Sequence, residues 1–228
     1  MTEVSGQGWS RFSIWEHSQH IRELYESRAA GREEEMTCAA QAAELLATLA
    51  EPGDSVLDVG CGSGWFFHSL RARGLDVDYW GIDASTPLVA IGQRLLPEFG
   101  LSADRLSTIR IEDLDGEADH VVCMNVLSNI DNYHRPLERL LTVARKSVIL
   151  RESFGDGNDY RWVTDAFLDP GVDLRVHVNR YDLAEVMAFV ESLGFDARHV
   201  VDRRTGGEPE FVIGHPHHWA FLVACRRT

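Results

Sequence analysis

The segment VLDVGCGSGWF, residues 56–66, constrains this chain more than any other. An apolar run ends in Asp58, glycines follow at 60, 62 and 64, and a helical pattern begins at once. A strand, a glycine loop and a helix in that order predict the first ligand cradle of an open parallel sheet, where ligands bind beyond the carboxyl ends of strands. Glycine admits left-handed backbone and lets a ligand approach the main chain closely. A dinucleotide fingerprint would need a third glycine where Trp65 stands. It would also place pyrophosphate near Asp58, a carboxylate that repels it. The same carboxylate suits a ligand carrying positive charge: unit charges about 4 Å apart attract by about 4 kcal/mol at an effective dielectric near 20.

The rest of the chain supports an α/β fold. Residues 13–30 and 33–50 read as helices, the second with Met36, Ala40, Ala43 and Leu46 at helical spacing. Strands are predicted at 55–59, 79–83, 108–111, 120–124 and 146–150, alternating with helices near 65–74, 87–96 and 136–144. That alternation predicts a doubly wound sheet, mostly parallel, with helices on both faces. The tail differs, with a helix at 182–193, a strand at 195–201, a turn in RTGGEPE and a last strand at 218–224. Two strands joined by a loop predict an antiparallel hairpin at one sheet edge.

Motifs at the ends of successive strands now identify a resemblance. VLDVGCGSG resembles the first motif of the class I S-adenosylmethionine-dependent methyltransferases, and the likeness extends over roughly residues 25–225. It implies a Rossmann-like sheet of seven strands with the last one antiparallel, and S-adenosyl-L-methionine as cofactor. Gly60, Cys61, Gly62 and Gly64 then form the cofactor loop, with Asp58 facing the ammonium. GIDAS matches the second motif, so Asp83 binds the ribose hydroxyls, with Ala84 beside it; a carboxylate accepts two hydrogen bonds from a vicinal diol. The competing reading of Asp83 is a helix cap. IEDLD matches the third motif, giving the adenine either Asp113 with Leu114 or Glu112 with Asp113. ADHVVCMNVLSNI resembles the fourth, implying Met124 and Asn125 at the methionine end. Tyr25, ahead of the first strand, resembles a tyrosine that contacts the cofactor's carboxylate, and Arg28 is placed to pair with it.

The acceptor side is less determined. Many small-molecule members carry a histidine where this chain has Asn129, which orients but cannot act as a base at neutral pH. His177 and His134 are the base candidates, and an amine acceptor needs none. Arg151, after the fifth strand, suits an anionic acceptor or a salt bridge beside the cleft. The stretch 154–181 mixes aromatic and polar residues, among them Tyr160, as acceptor pockets do. GHPHHW lacks a nearby carboxylate at fitting spacing, and Cys38, Cys61, Cys123 and Cys225 form no CxxC pair, so no metal is expected. Trp9, Phe12 and Trp15 are either lid or core.

Residues 1–50 are read as a helical lid over a methyltransferase domain at 51–228, one globular unit overall. Composition narrows the partners. The 228 residues carry 36 acidic and 22 basic side chains, a net charge of -14, which disfavours gripping nucleic acid through phosphates. With no long apolar run and no leader pattern, a cytoplasmic protein without a membrane partner is expected. The activity expected is methyl transfer to an oxygen or nitrogen of a small acceptor, by a monomer or homodimer. The alternatives are an RNA or protein methyltransferase and a cofactor-binding module without catalysis.

Overall fold

A computed structural model describes residues 13–227. A short 3-10 turn, Ile14–Glu16, leads into helix α1 (Gln19–Ala29), whose cap Ser18 accepts the Ile21 N–H. Helix α2 (Thr37–Ala47) precedes strand β1 (Ser55–Val59). Then come α3 (Phe66–Ala72), β2 (Asp78–Asp83), α4 (Thr86–Leu95) and the three-residue β3 (Leu106–Thr108). The chain continues through β4 (Ala118–Met124), α5 (His134–Val143) and the long β5 (Ala144–Gly155). Beyond it lie a small hairpin, β6 (Trp162–Thr164) and β7 (Arg175–His177), and the two-residue β8 (Tyr181–Asp182). Helix α6 (Leu183–Ser192) and β9 (Phe195–Val201) follow. A second small hairpin, β10 (Glu210–Val212) and β11 (His215–His217), leads to β12 (Trp219–Arg226).

The main sheet runs β3-β2-β1-β4-β5-β12-β9. Its seven strands are parallel except β12, which lies antiparallel between β5 and β9. The expected architecture holds, with β9 outermost and β8 adding a short parallel pairing on the end of β5. Central strands are covered on both faces, which is why they read as continuous apolar runs. On one face Val121, Val148, Leu150 and Leu222 pack with Leu137 and Leu140 of α5 and Val186 and Val190 of α6. On the other, Val56, Val122, Ile149 and Phe221 pack with α2, α3 and α4.

Two local expectations are corrected. The third strand ends at Thr108 instead of beginning there, because Ile111 turns inward at the start of a 3-10 turn while Ile109 stays exposed. Helix α2 buries Ala39, Ala42, Ala43 and Leu46 against the sheet, and Ala40 lies off that face. Helix α2 thus belongs to the helical layer on that face of the sheet. The stretch 154–181 carries the short strands β6 and β7. Trp9 and Phe12 lie outside the described residues. Among the described residues, no helix is long and apolar enough to cross a membrane.

Candidate functional site

The turn after β1 is built by its neighbours. Gly60 and Cys61 both donate their N–H groups to the Ile82 carbonyl, at 2.8 and 3.0 Å, and Gly62 donates to Asp83 Oδ2 at 2.8 Å. Gly62 has φ +57°, and a Cβ there would fall inside the Tyr25 ring; at Gly60, φ +75°, it would fall on Val126. Only glycine meets both demands. Tyr25 thus lies directly on the loop, its carbonyl accepting Ser63 Oγ at 2.9 Å. Burial pushes its hydroxyl up to about 12, against the pull of Arg28, whose guanidinium sits 5.3 Å from both the Tyr25 and Trp65 rings.

Two carboxylates flank this turn. Asp58 is 3% exposed and accepts one hydrogen bond, from Tyr79 Oη at 2.7 Å. Burial raises its pKa to about 7; the Tyr79 bond opposes this and the charge of Asp83 adds to it. No Lys, Arg or His among the described residues forms an ion pair with it. A buried acid without a cation fits a ligand that brings one. Asp83 accepts the Ser85 N–H on Oδ1 and the Gly62 N–H on Oδ2, both at 2.8 Å, and burial raises its pKa. Its carboxylate serves the loops on either side and caps no N2 or N3 amide of α4, and each oxygen keeps a lone pair for a hydroxyl. Cys61, Gly64 and Ala84 complete the two loops. A buried acid without a cation and a carboxylate with lone pairs to spare are an acceptor set that the S-adenosylmethionine expected from the sequence could use.

Glu16 was not singled out from the sequence, yet it reaches this end of the sheet. Burial raises its pKa, the Thr86 N–H bond lowers it, and nearby Asp83 raises it. Glu112 and Asp113 lie exposed in the 3-10 turn after β3, Glu112 within 3.3 Å of Arg110. Leu114 is buried, its N–H making a long 3.3 Å bond to the Ile111 carbonyl. A groove of about 470 Å³ lined by Glu112, Arg135, Glu138, Arg139 and Thr142 shares only Glu112 with the predicted cofactor residues.

The turn after β4 is held from below. Glu152 of β5, fully buried, accepts the N–H groups of Val126, Leu127 and Ser128 at 2.8–2.9 Å. Burial raises its pKa and these three bonds oppose the rise. Asn125, next to half-buried Met124, adopts φ +59°. Its N–H donates to the Arg151 carbonyl at 2.8 Å, its Oδ1 accepts Arg151 Nη1, and its carbonyl accepts Asn129 Nδ2 at 2.8 Å. Arg151 is 2% exposed and paired with Asp202 at 2.6 Å. The salt-bridge reading of Arg151 is therefore the arrangement present. Asp202 lies 51 positions away, and no local pattern announces it.

Three excursions close over this end of the sheet. Ser18 Oγ donates to the Phe167 carbonyl at 2.6 Å, and Asp169 Oδ1 accepts the Gln19 N–H at 2.7 Å. Ile14, Val176 and Val178 form a small apolar core with Trp15, Val163, Leu168 and Ile213, so the N-terminal turn and both hairpins meet there. Trp15 also packs with Ala29 and Leu88, which makes it both roof and core. His177 packs on Trp162, centroids 4.3 Å apart; burial lowers its pKa and Asp131 opposes this. Asn179 ties the roof down, its N–H on the Ser128 carbonyl at 2.9 Å and its amide on that of Ile130 at 2.7 Å. Tyr160 is exposed, edge-on to Tyr181. His134 is exposed at the start of α5, bonded to Asn132 and stacked on Tyr133, so the structure does not bring it to His177.

Comparison with known proteins agrees with this geometry. A family model described as a methyltransferase domain matches residues 31–200. Over 83 residues the chain is 35% identical to the ubiquinone biosynthesis O-methyltransferase of Dechloromonas aromatica (strain RCB), 35% of each protein. The match thus spans about a third of the length of that curated relative. The sugar N-methyltransferase of Streptoalloteichus sp ATCC 53650 superposes with a TM-score of 0.62 at 16% identity, covering 100% of this chain and 98% of that one. The magnesium protoporphyrin IX methyltransferase of Synechocystis PCC 6803, solved with bound S-adenosylmethionine, gives 0.57 at 20% identity, covering 97% and 92%. At those identities the structural likeness speaks for the fold, and the family match carries the assignment. Glycine turn, flanking carboxylates, strand order and family model converge: the chain belongs to the class I S-adenosylmethionine-dependent methyltransferases.

Proposed function

We propose that this chain transfers a methyl group to an oxygen or nitrogen of a small molecule: a sugar, a polysaccharide precursor or a secondary-metabolite intermediate. S-adenosylmethionine supplies the activated methyl group and leaves as S-adenosylhomocysteine. The observation that carries the reading is Asp58, a buried carboxylate without a cation, under a turn whose shape Asp83 fixes. The roof of three interlocked segments favours a small acceptor over a polymer, because the sheet's active end is covered. What remains for the protein is to hold the acceptor in line and keep water out. His177, half-buried in that roof and held neutral by its lowered pKa, is the candidate proton acceptor for a hydroxyl substrate. Asn129 orients the turn through the Asn125 carbonyl.

The test pairs calorimetry with turnover. Asp83→Ala is expected to weaken S-adenosylhomocysteine binding by about 1.5–3 kcal/mol, the worth of hydrogen bonds to a charged group. Wild-type protein should release S-adenosylhomocysteine with at least one member of a panel of hydroxylated and amino compounds. Unchanged affinity in the variant would refute the ribose assignment, and binding without turnover across the panel would favour a non-catalytic module.

A further inference from the structure

Two of the three excursions in the roof are tied to each other and to the sheet's turns. The Asp169 N–H donates to the His17 carbonyl at 2.9 Å and Ser18 Oγ to the Phe167 carbonyl at 2.6 Å. Asn179 fixes the end of β7 on the Ser128 and Ile130 carbonyls. The third excursion, the β10–β11 hairpin, is rooted elsewhere. At its base Arg203 donates its N–H to Gln41 Oε1 of α2 at 2.8 Å and pairs with Glu44 of the same helix. Glu210 accepts Trp219 Nε1 at 2.8 Å. The tip reaches across to the roof. There, among the described residues, Ile213 packs against Ile14, Val176 and Val178, and Arg161 Nη1 bonds His215 Nδ1 at 2.6 Å. Arginine only donates, so Nδ1 accepts. Asp159 holds that guanidinium in place through Nε at 2.9 Å and Nη2 at 2.6 Å.

The tip is also strained. Its two-residue turn, Ile213 and Gly214 between the paired Val212 and His215, has φ of +51° and +75°. A turn with both residues left-handed favours asparagine or aspartate before the glycine. A β-branched side chain there clashes with its own backbone. Isoleucine is therefore a poor turn residue at this position, and what it contributes is the apolar side chain that enters the roof core. Strain of this kind persists where surrounding contacts over-determine the conformation, and it is released when they break.

We propose that the β10–β11 hairpin is a hinged latch of the roof. It swings on its base and withdraws Ile213 and His215, while the N-terminal turn and the β6–β7 hairpin stay tied. That the passage it opens admits the methyl acceptor rests on the proposed function. The motion itself rests on these contacts alone.

The test labels Val176→Cys in the full chain with an aromatic disulfide reagent, because Val176 is 5% exposed in the core that Ile213 joins. Wild-type protein supplies the background from the native cysteines. Ile213→Ala and His215→Ala, each added to Val176→Cys, should speed labelling about tenfold, the effect of losing one buried contact or hydrogen bond. Exchange of the Asp169 amide, read by nuclear magnetic resonance, should not change. Ile213→Asn separates the turn from the plug: the His215 amide should exchange more slowly as the turn relaxes, while labelling still speeds. Labelling rates unchanged in these variants overturn the proposal. So does Asp169 exchange that rises in step with labelling, since the roof then opens as one body. Labelling that only tracks exchange of the β4 amides overturns it too, because global unfolding then exposes the thiol. No methyl acceptor enters the experiment, so failure of the proposed function leaves its result standing.

Discussion

Replacing Asp58 by Asn tests the site at its centre. The carboxyl is 3% exposed, and its pKa rises from 3.8 to about 7, chiefly through burial. A difference near three units corresponds to about 4 kcal/mol between protonated and ionised forms, at roughly 1.4 kcal/mol per unit. The folded protein holds this proton better than the unfolded chain does. Its contribution to stability is therefore full below about pH 4 and is lost as the pH rises through about 7. A bound ammonium reverses the balance, because the ionised acid then has its partner. Affinity for S-adenosylhomocysteine should rise by up to about tenfold per unit between pH 5 and 7, where the ligand's ammonium stays protonated, with uptake of ligand releasing a proton. Asp58→Asn should flatten that slope. It should also stabilise the free protein at pH 8 by about 1–3 kcal/mol, less than the full 4 because the amide N–H₂ finds no partner. Calorimetry in two buffers of different ionisation enthalpy counts the protons, and urea unfolding measures the stability. A wild-type affinity that is flat from pH 5 to 7, or a variant that keeps the full slope, would refute the argument.

Other perturbations follow from the same geometry. Gly62→Val drives a branched side chain into Tyr25 from a left-handed backbone and should reduce S-adenosylhomocysteine binding at least tenfold by calorimetry; a normal dissociation constant would count against the loop. Glu152→Ala orphans three backbone N–H groups and should destabilise the fold by on the order of 3 kcal/mol, a fall of roughly 6–12 °C in scanning calorimetry. Glu152→Gln, which still accepts hydrogen bonds, should lose less, and equal losses would show that the carboxylate does not hold this turn.

The sequence disclosed the parts of this molecule that repeat along the chain. The strand at 55–59 and the outer strand at 195–201 fall where the sequence pattern predicts. The glycine turn is legible because glycine is itself the backbone signal, and Asp58 and Asp83 because strand ends position them. β3 lies earlier than its pattern predicts because it has three residues, and the β-branched Ile109 and Ile111 after it lead into a turn instead. Partnerships across the fold left no such trace. Arg151 was visible as a charge near the active end, but not Asp202, which cancels it 51 positions later. Glu152, the next residue, has a role that depends on three amides 24–26 positions earlier whose hydrogen bonds it accepts. His217 stands in the sequence only as one of a histidine cluster, and its stacking on Trp219 is a fact of packing.

The small core that joins Ile14, Val176, Val178 and Ile213 is separate from the two large ones that stabilise the sheet. Few buried side chains hold it, and it closes between segments far apart in the sequence, so it is the cheaper unit to open. Hydrogen exchange at its amides can run ahead of exchange in β1, β4 and β5 while Asp58 and Asp83 stay in place. Under the proposed function, admission of the acceptor becomes a local melting event, governed by a free energy of its own. Substitutions in the roof can retune which molecules enter, and how fast, while the glycine turn and its flanking carboxylates stay as they are.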